Sequence, residues 1–282
     1  MAVKFIVDSA CDILPAEAKE LGIIHLPLKV IFGEEEFADA VDLSHEEFYE
    51  KLIESDVFPS TSQVPPADFE DAYKKTVSDG DEAIVITVSG KLSGTYQSAV
   101  IAQEDYEGKV FIVDSENVAL GERILIYKGL KYAKEGFSAS EIADKLNKDK
   151  KRIRLMALLD TLEYLKKGGR ISSAAAFAGG LLSIKPVVAI KEGAIELVGK
   201  ARGSKQGNNL LRELITNSNG IDFEEPYILA YSGLSDKLLQ KYMRDSAEIW
   251  EEKAEKLPVC TVGCAIGAHV GPGAIAVAFF EK

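Results

Sequence analysis

Four short segments combine hydroxyls, carboxylates and glycines in a way that suits holding an anion. They are Asp8-Ser9-Ala10-Cys11-Asp12, Pro59-Ser60-Thr61-Ser62-Gln63, Val88-Ser89-Gly90-Lys91-Leu92-Ser93-Gly94-Thr95 and Asp114-Ser115. Ser93-Gly94-Thr95 leads directly into a helical pattern. A helix start offers free N–H groups and partial positive charge, and a glycine lets a ligand approach the backbone. Such a site can hold a carboxylate or phosphate without a lysine. The same residues are also ordinary capping and turn residues: Ser93 as an N-cap, Asp8 and Asp12 as turn formers.

Two further residues have chemistry to offer. His269 lies in Gly267-Ala-His-Val-Gly-Pro-Gly273, read here as a turn between two strands, where an imidazole can donate to a bound carboxylate. Arg170 follows a glycine pair in Lys166-Lys-Gly-Gly-Arg-Ile171, a tight loop suited to presenting a guanidinium to phosphate. Named motifs fail. No P-loop, nucleophile elbow or dinucleotide-binding glycine pattern is present. Cys260 and Cys264 lack a second pair and a nearby histidine couple, so no metal is expected, and all three cysteines read as small apolar residues.

These segments need elements to position them. The first half alternates strands with helices, the mark of a doubly wound, mostly parallel sheet. Strands are expected at Val3–Val7, His25–Ile31, Ala83–Val88 and Val110–Val113. Helices are expected at Pro15–Leu21, from the capping box Ser44–Glu47 to Glu54, at Ala67–Val77, at Thr95–Gln103 and from the capping box at Ser138 to Asn147. Pro59–Pro66 reads as a loop. In an open parallel sheet, ligands gather at the carboxyl ends of strands, where three of the four segments lie.

After about Lys151 the pattern changes to an α+β domain with a mixed or antiparallel sheet. Strands are expected at Arg154–Leu159, Tyr227–Tyr231, Val259–Val262 and Ala274–Phe279. A hairpin joins Pro186–Ile190 to Ile195–Ala201. Helices are expected at Thr161–Gly168, Ala174–Leu182 and Asp236–Lys256. The division is expected at residues 152/153, with the ligand between the two domains.

Composition narrows the function. The 282 residues carry a net charge of −12, 46% hydrophobic and 28% charged residues. That balance excludes a general nucleic-acid binder, whose affinity comes from neutralising phosphates. No apolar run reaches the length of a membrane span, and the three cysteines fit a reducing cytoplasm. Yet residues 150–205 hold 12 basic and 4 acidic residues, a net of +8. A basic stretch in an acidic chain is a place to look for an anionic ligand or partner.

Taken in order, the pieces match one pattern: Asp8-Ser-x-x-Asp-Ile13, Thr61-Ser-Gln63, Leu92-Ser-Gly-Thr-Tyr-Gln-Ser-Ala99, Val113-Asp-Ser115, Leu162-Glu-Tyr-Leu-Lys-Lys-Gly-Gly-Arg-Ile-Ser172, Ile184-Lys-Pro186, Lys200-Ala-Arg202 and Gly267–Gly273. Over about residues 3–281 the chain resembles the DegV family of bacterial fatty-acid-binding proteins. The resemblance implies a two-domain α/β protein that buries one long-chain fatty acid between its domains and needs no cofactor. It implies that Thr61 and Ser93 hold the carboxylate, with Ser62, Gly94 and His269 close by. It places Arg170 and Arg202 near phosphoryl transfer or partner docking. Some members carry the acyl group for a fatty acid kinase, whose ATP-binding subunit completes an acyl phosphate; transient contact with a membrane surface fits such a carrier. Two other readings of the same residues remain: a serine hydrolase using Ser93 with His269 as base, and a binder of phosphorylated metabolites.

Overall fold

The computed structural model describes residues 2–171, 184–250, 253 and 256–282. The segment expected as a helix at 174–182 and Ser172 of the long motif lie outside the described residues.

A four-stranded parallel sheet forms the first layer, in the order β2-β1-β6-β7: β1 Val3–Asp8, β2 Ile23–Leu26, β6 Glu82–Thr87 and β7 Val110–Asp114. Its strands are apolar on both faces, as a sheet covered on both sides requires. Along β1, Phe5 and Val7 pack into one core while Ile6 packs into the other, the period-two alternation of a strand. The flanking helices are α1 Pro15–Leu21, α2 His45–Glu54, α3 Pro66–Ser78, α4 Thr95–Ala102 and α6 Ala139–Asp149. Ser44 with Glu47 and Ser138 with Glu141 form the two expected capping boxes.

The second sheet has six strands in the order β10-β9-β8-β13-β11-β12: β8 Ile153–Leu158, β9 Ile184–Lys191, β10 Ala194–Arg202, β11 Ile228–Tyr231, β12 Val259–Thr261 and β13 Ile275–Phe280. All neighbours are antiparallel except β11 and β12. The expected hairpin is β9–β10, turning through Glu192 and Gly193 with φ of 47° and 79°, the positive-φ pair of a tight hairpin turn. Helices with this sheet, among the described residues, are α7 Glu163–Lys167, α8 Gly203–Thr216, α9 Lys237–Asp245, α10 Ala247–Trp250 and α11 Cys264–Val270.

Several expectations are corrected. The strand expected at His25–Ile31 breaks at Pro27-Leu28: β2 stays in the parallel sheet, and β3 Lys29–Phe32 leaves it. Proline cannot donate to a sheet ladder. The loop expected at Pro59–Pro66 contains β5 Ser60–Ser62, which pairs with β3, whose other edge pairs with β4 Glu35–Ala38. The helix expected from Asp236 stops at Asp245 and restarts at Ala247; at the break the Ser246 side chain bonds back to the Tyr242 carbonyl and takes the indole N–H of Trp250. His269 lies not in a turn but in the last turn of α11.

Helix α5, Leu120–Lys134, carries no clear amphipathic pattern because it is buried from Leu120 through Ile126. Its Ile124 and Leu125 join a core that contains Phe5 and Ile84 of the first sheet and Leu155, Ala276 and Phe280 of the second. The two sheets thus share packing across one helix. The C-terminal helix α11 in turn packs against α2, β3 and β5 of the N-terminal part.

Candidate functional site

The small β3–β4–β5 sheet decides where Thr61 goes. Pairing of Thr61 with Val30 fixes the backbone of β5, and Thr61 Oγ1 meets His269 Nε2 at 2.8 Å. A residue of β5 and one of α11, 208 positions apart, thereby share a hydrogen bond. The His269 ring packs on Gly168, where a Cβ would stand 2.1 Å from Nδ1; only a bare Cα admits the ring. That Nδ1 is buried and has no hydrogen-bond partner among the described residues. Burial, then the charge of Arg170, push the imidazole down to about 4, so it is neutral at ordinary pH.

Ser93 ends the loop after β6. Its hydroxyl meets Thr95 Oγ1 at 2.9 Å and accepts the Thr95 N–H at 3.3 Å. The N-cap of α4 is therefore Gly94 and not Ser93. Gln63 lies over Gly94, where a Cβ would stand 2.0 Å from Gln63 Oε1, and its amide donates to Ser98 Oγ at 2.8 Å. Arg170 donates from Nε to the Leu92 carbonyl at 3.1 Å and from Nη1 to the Gly168 carbonyl at 2.6 Å. Its guanidinium ties the Ser93 loop to the turn that supports His269.

Thr61, Ser62, Ser93, Gly94, Arg170 and His269 all line one cavity of about 340 Å³. Its other walls include Ala10, Leu28, Val88, Val118, Leu165, Ile195, Ile266 and Val270. Two backbone groups of this wall are fixed by Asp8, whose carboxylate accepts the Ala10 and Val88 N–H groups at 3.0 and 2.8 Å. Burial pushes that carboxyl up to about 7, against those two bonds. A second, smaller cavity shares Val118, Leu165, Ile195, Ile266 and Val270 with the first. It extends between the sheets past Leu155, Val188 and Ala276, and every residue lining it is apolar.

Arg202 is not brought to this cavity. It is exposed at the end of β10, and its N–H donates to Gln206 Oε1. The basic stretch is not a uniform basic face either. Lys150 pairs with Glu116, Arg152 with Asp222, Arg154 with Glu281, Lys167 with Glu163, Lys185 with Asp160 and Lys191 with Glu196. The hydrolase arrangement is also not formed. His269 engages Thr61 rather than Ser93, and no group among the described residues orients its Nδ1, whereas a nucleophile–base pair requires both contacts.

Gln63 and Leu165 were not among the expected site residues. Gln63 carries a sequence signal, since it directly follows Ser62; Leu165 carries none, because an apolar residue in a short helix reads equally as core.

The fold and cavities define a class: an α/β protein of two large sheets and one small one, with a partly polar cavity adjoining a wholly apolar one. The chain belongs to the DegV family, whose model, described as "Uncharacterised protein, DegV family", matches residues 2–282. It is 32% identical over 283 residues to a DegV domain-containing protein of Caldanaerobacter subterraneus subsp. tengcongensis, covering 99% of each chain. A solved Thermus thermophilus structure described as "Fatty Acid Binding of a DegV family Protein" superposes with a TM-score of 0.86 at 30% identity, covering 100% of both chains. A stearic acid-binding protein from Eubacterium ventriosum superposes with a TM-score of 0.83 at 25% identity, covering 100% of this chain and 99% of that one.

Proposed function

We propose that this protein binds one long-chain fatty acid, with the carboxylate at Thr61, Ser62, Ser93, Gly94 and His269 and the tail in the apolar extension. The carrying observation is that two cavities share five lining residues: hydroxyls, an imidazole and Arg170 line one, and only apolar residues line the other. The fatty acids in the descriptions of the Thermus and Eubacterium relatives support the same reading.

The energetics favour it. A 16-carbon chain buries about 14 methylenes at ~0.8 kcal/mol each, roughly 11 kcal/mol before ordering costs. The tail therefore dominates affinity and the polar end sets orientation. Hydroxyls and the imidazole hold the carboxylate, while the guanidinium of Arg170, which lines the same cavity, is tied to two main-chain carbonyls; that suits a carboxylate that must later attack a phosphate.

We extend this to presentation of the bound acid to a separate ATP-binding kinase subunit, with Arg170 beside the carboxylate and exposed Arg202 on the docking side. The reading needs no cofactor in this chain. We also propose a division at 152/153, supported by the change from parallel to mixed sheet at Ile153, and a cytoplasmic setting, supported by three free cysteines. No helix among the described residues is long and apolar enough to cross a membrane.

Solvent extraction of gently purified protein followed by mass spectrometry tests the central claim. One equivalent of a long-chain fatty acid is expected. No co-purifying lipid, together with no uptake of added palmitate, overturns it.

A further inference from the structure

A second cluster of chemically capable side chains lies at the other end of α11 from His269. Asp39 follows β4, His45 is the first residue of α2 and Cys264 is the first residue of α11. One donor atom from each lies within 4.8 Å of the other two. Asp39 and Cys264 are 1% and 0% exposed. His45 is only half-buried. Asp39 accepts the Cys264 N–H at 3.1 Å and the Ser9 hydroxyl at 2.8 Å, which holds carboxylate and thiol side by side. The thiol lies beside the Asp39 carboxylate and makes long contacts to the Leu43 and Ser44 carbonyls at 3.5 and 3.8 Å.

Asp12 adds an independent observation. Its Oδ1 accepts the Gly263 N–H at 2.9 Å, while its Oδ2 is buried with no hydrogen-bond partner among the described residues. Asp12 Oδ1 and His45 Nε2 both crowd Gly263, at 2.7 and 3.0 Å from where a Cβ would stand. Arg123 reaches Asp12 only at its main-chain carbonyl. Among the described residues no ion pair involves Asp12 or Asp39, although both are buried. A buried carboxyl without an ion pair either keeps its proton, as burial favours for Asp12, or gives it up to a cation that supplies the counter-charge.

We propose that Asp39, His45 and Cys264, with Asp12 beside them, form a binding site for a transition-metal dication of the zinc type. Thiolate, imidazole and carboxylate together suit zinc or cobalt, whereas magnesium and calcium take oxygen donors. Tetrahedral bonds of about 2.0–2.3 Å put donor atoms roughly 3.3–3.8 Å apart, so the side chains draw together by about 1 Å on binding. The Cys264 thiol gives its proton to solvent as its sulfur bonds the ion, with no change of oxidation state. The ion would fasten the start of α11 to the segments before α2, and so seat the helix that carries His269.

The test uses the untagged full-length chain, stripped by chelator and titrated with Co²⁺. One equivalent is expected to give a thiolate-to-cobalt charge-transfer band, lost on adding Zn²⁺, and to raise Tm. Cys264→Ser is expected to remove the band, and His45→Ala to weaken binding by more than about tenfold; Cys260→Ser is expected to keep the band. Fatty acid content, measured on the same samples, reads out the lipid site separately. No band and no Tm rise in the parent chain, or a band that persists in Cys264→Ser, overturns the proposal. Because His45 is half-buried, its variant still reports if Cys264→Ser does not fold.

Discussion

The two ends of the cavity are built by different means. At the polar end four side chains are held by directed bonds: Thr61 to His269, Ser93 to Thr95, Gln63 to Ser98, Arg170 to two main-chain carbonyls. At the apolar end no directed bond is needed, and residues from α5, β8, β9, β10, α11 and β13 meet by packing alone. Directed bonds are each worth little net, but they fix geometry. Apolar burial is worth more in total and is tolerant of shape. Orientation and affinity are thus assigned to opposite ends.

The largest effect that would break this contrast is in the tail. Shortening the ligand from 16 to 10 carbons is expected to weaken binding about fourfold per methylene, more than about a thousandfold overall. A dissociation constant that stays level across a chain-length series would show that the apolar end contributes little. The head is expected to matter less. Thr61→Ala combined with Ser93→Ala should cost about 10- to 100-fold, the range for losing hydrogen bonds to a charged group. The same pair should let the methyl ester bind nearly as well as the acid, which competition binding would read.

Gly168→Ala tests the support rather than the contact. Its added Cβ would displace the His269 ring, and about a tenfold loss of affinity with little change in Tm is expected. His269 also sets a modest pH dependence. Its pKa, normally near 6.5, is held down to about 4, so its contribution to stability is complete above about 6.5 and is lost as pH falls toward 4. A bound carboxylate favours the imidazolium, so binding should take up a proton and tighten several-fold between about pH 7 and pH 5. Calorimetry in buffers of different ionisation enthalpy would show it, and His269→Asn should abolish it. The smallest expected effect is that of Arg202→Glu, which should leave lipid affinity unchanged and reduce only coupled acyl-phosphate formation.

Charge shows where sequence reading misleads. The +8 stretch suggests one basic face, but Arg152, Arg154 and Lys150 find their acids at Asp222, Glu281 and Glu116, outside the stretch. Local counting cannot see partners that folding delivers. The metal-capable cluster was hidden in the same way. Cys264 was weighed against Cys260, its neighbour in the chain, whereas its neighbours in space are Asp39 and His45, more than 200 residues away. α5 was hard to read for a related reason: a helix buried on nearly all sides has no polar face to mark its period.

The sequence by itself determined the elements whose signals are local. Capping boxes at Ser44 and Ser138, the Pro15 and Gly22 ends of α1, the hairpin at Glu192-Gly193 and the apolar strands of the parallel sheet all depend on residues within a few positions of one another. The motifs Leu92–Ala99 and Lys166–Ile171 were specific enough to indicate the family. Tertiary structure alone decided that Thr61 sits on a strand, that His269 sits on a helix, and that the two touch. It also decided which apolar residues line a cavity and which fill the core. Side chains of the same type do both, and what separates them is the space left between two sheets and a shared helix.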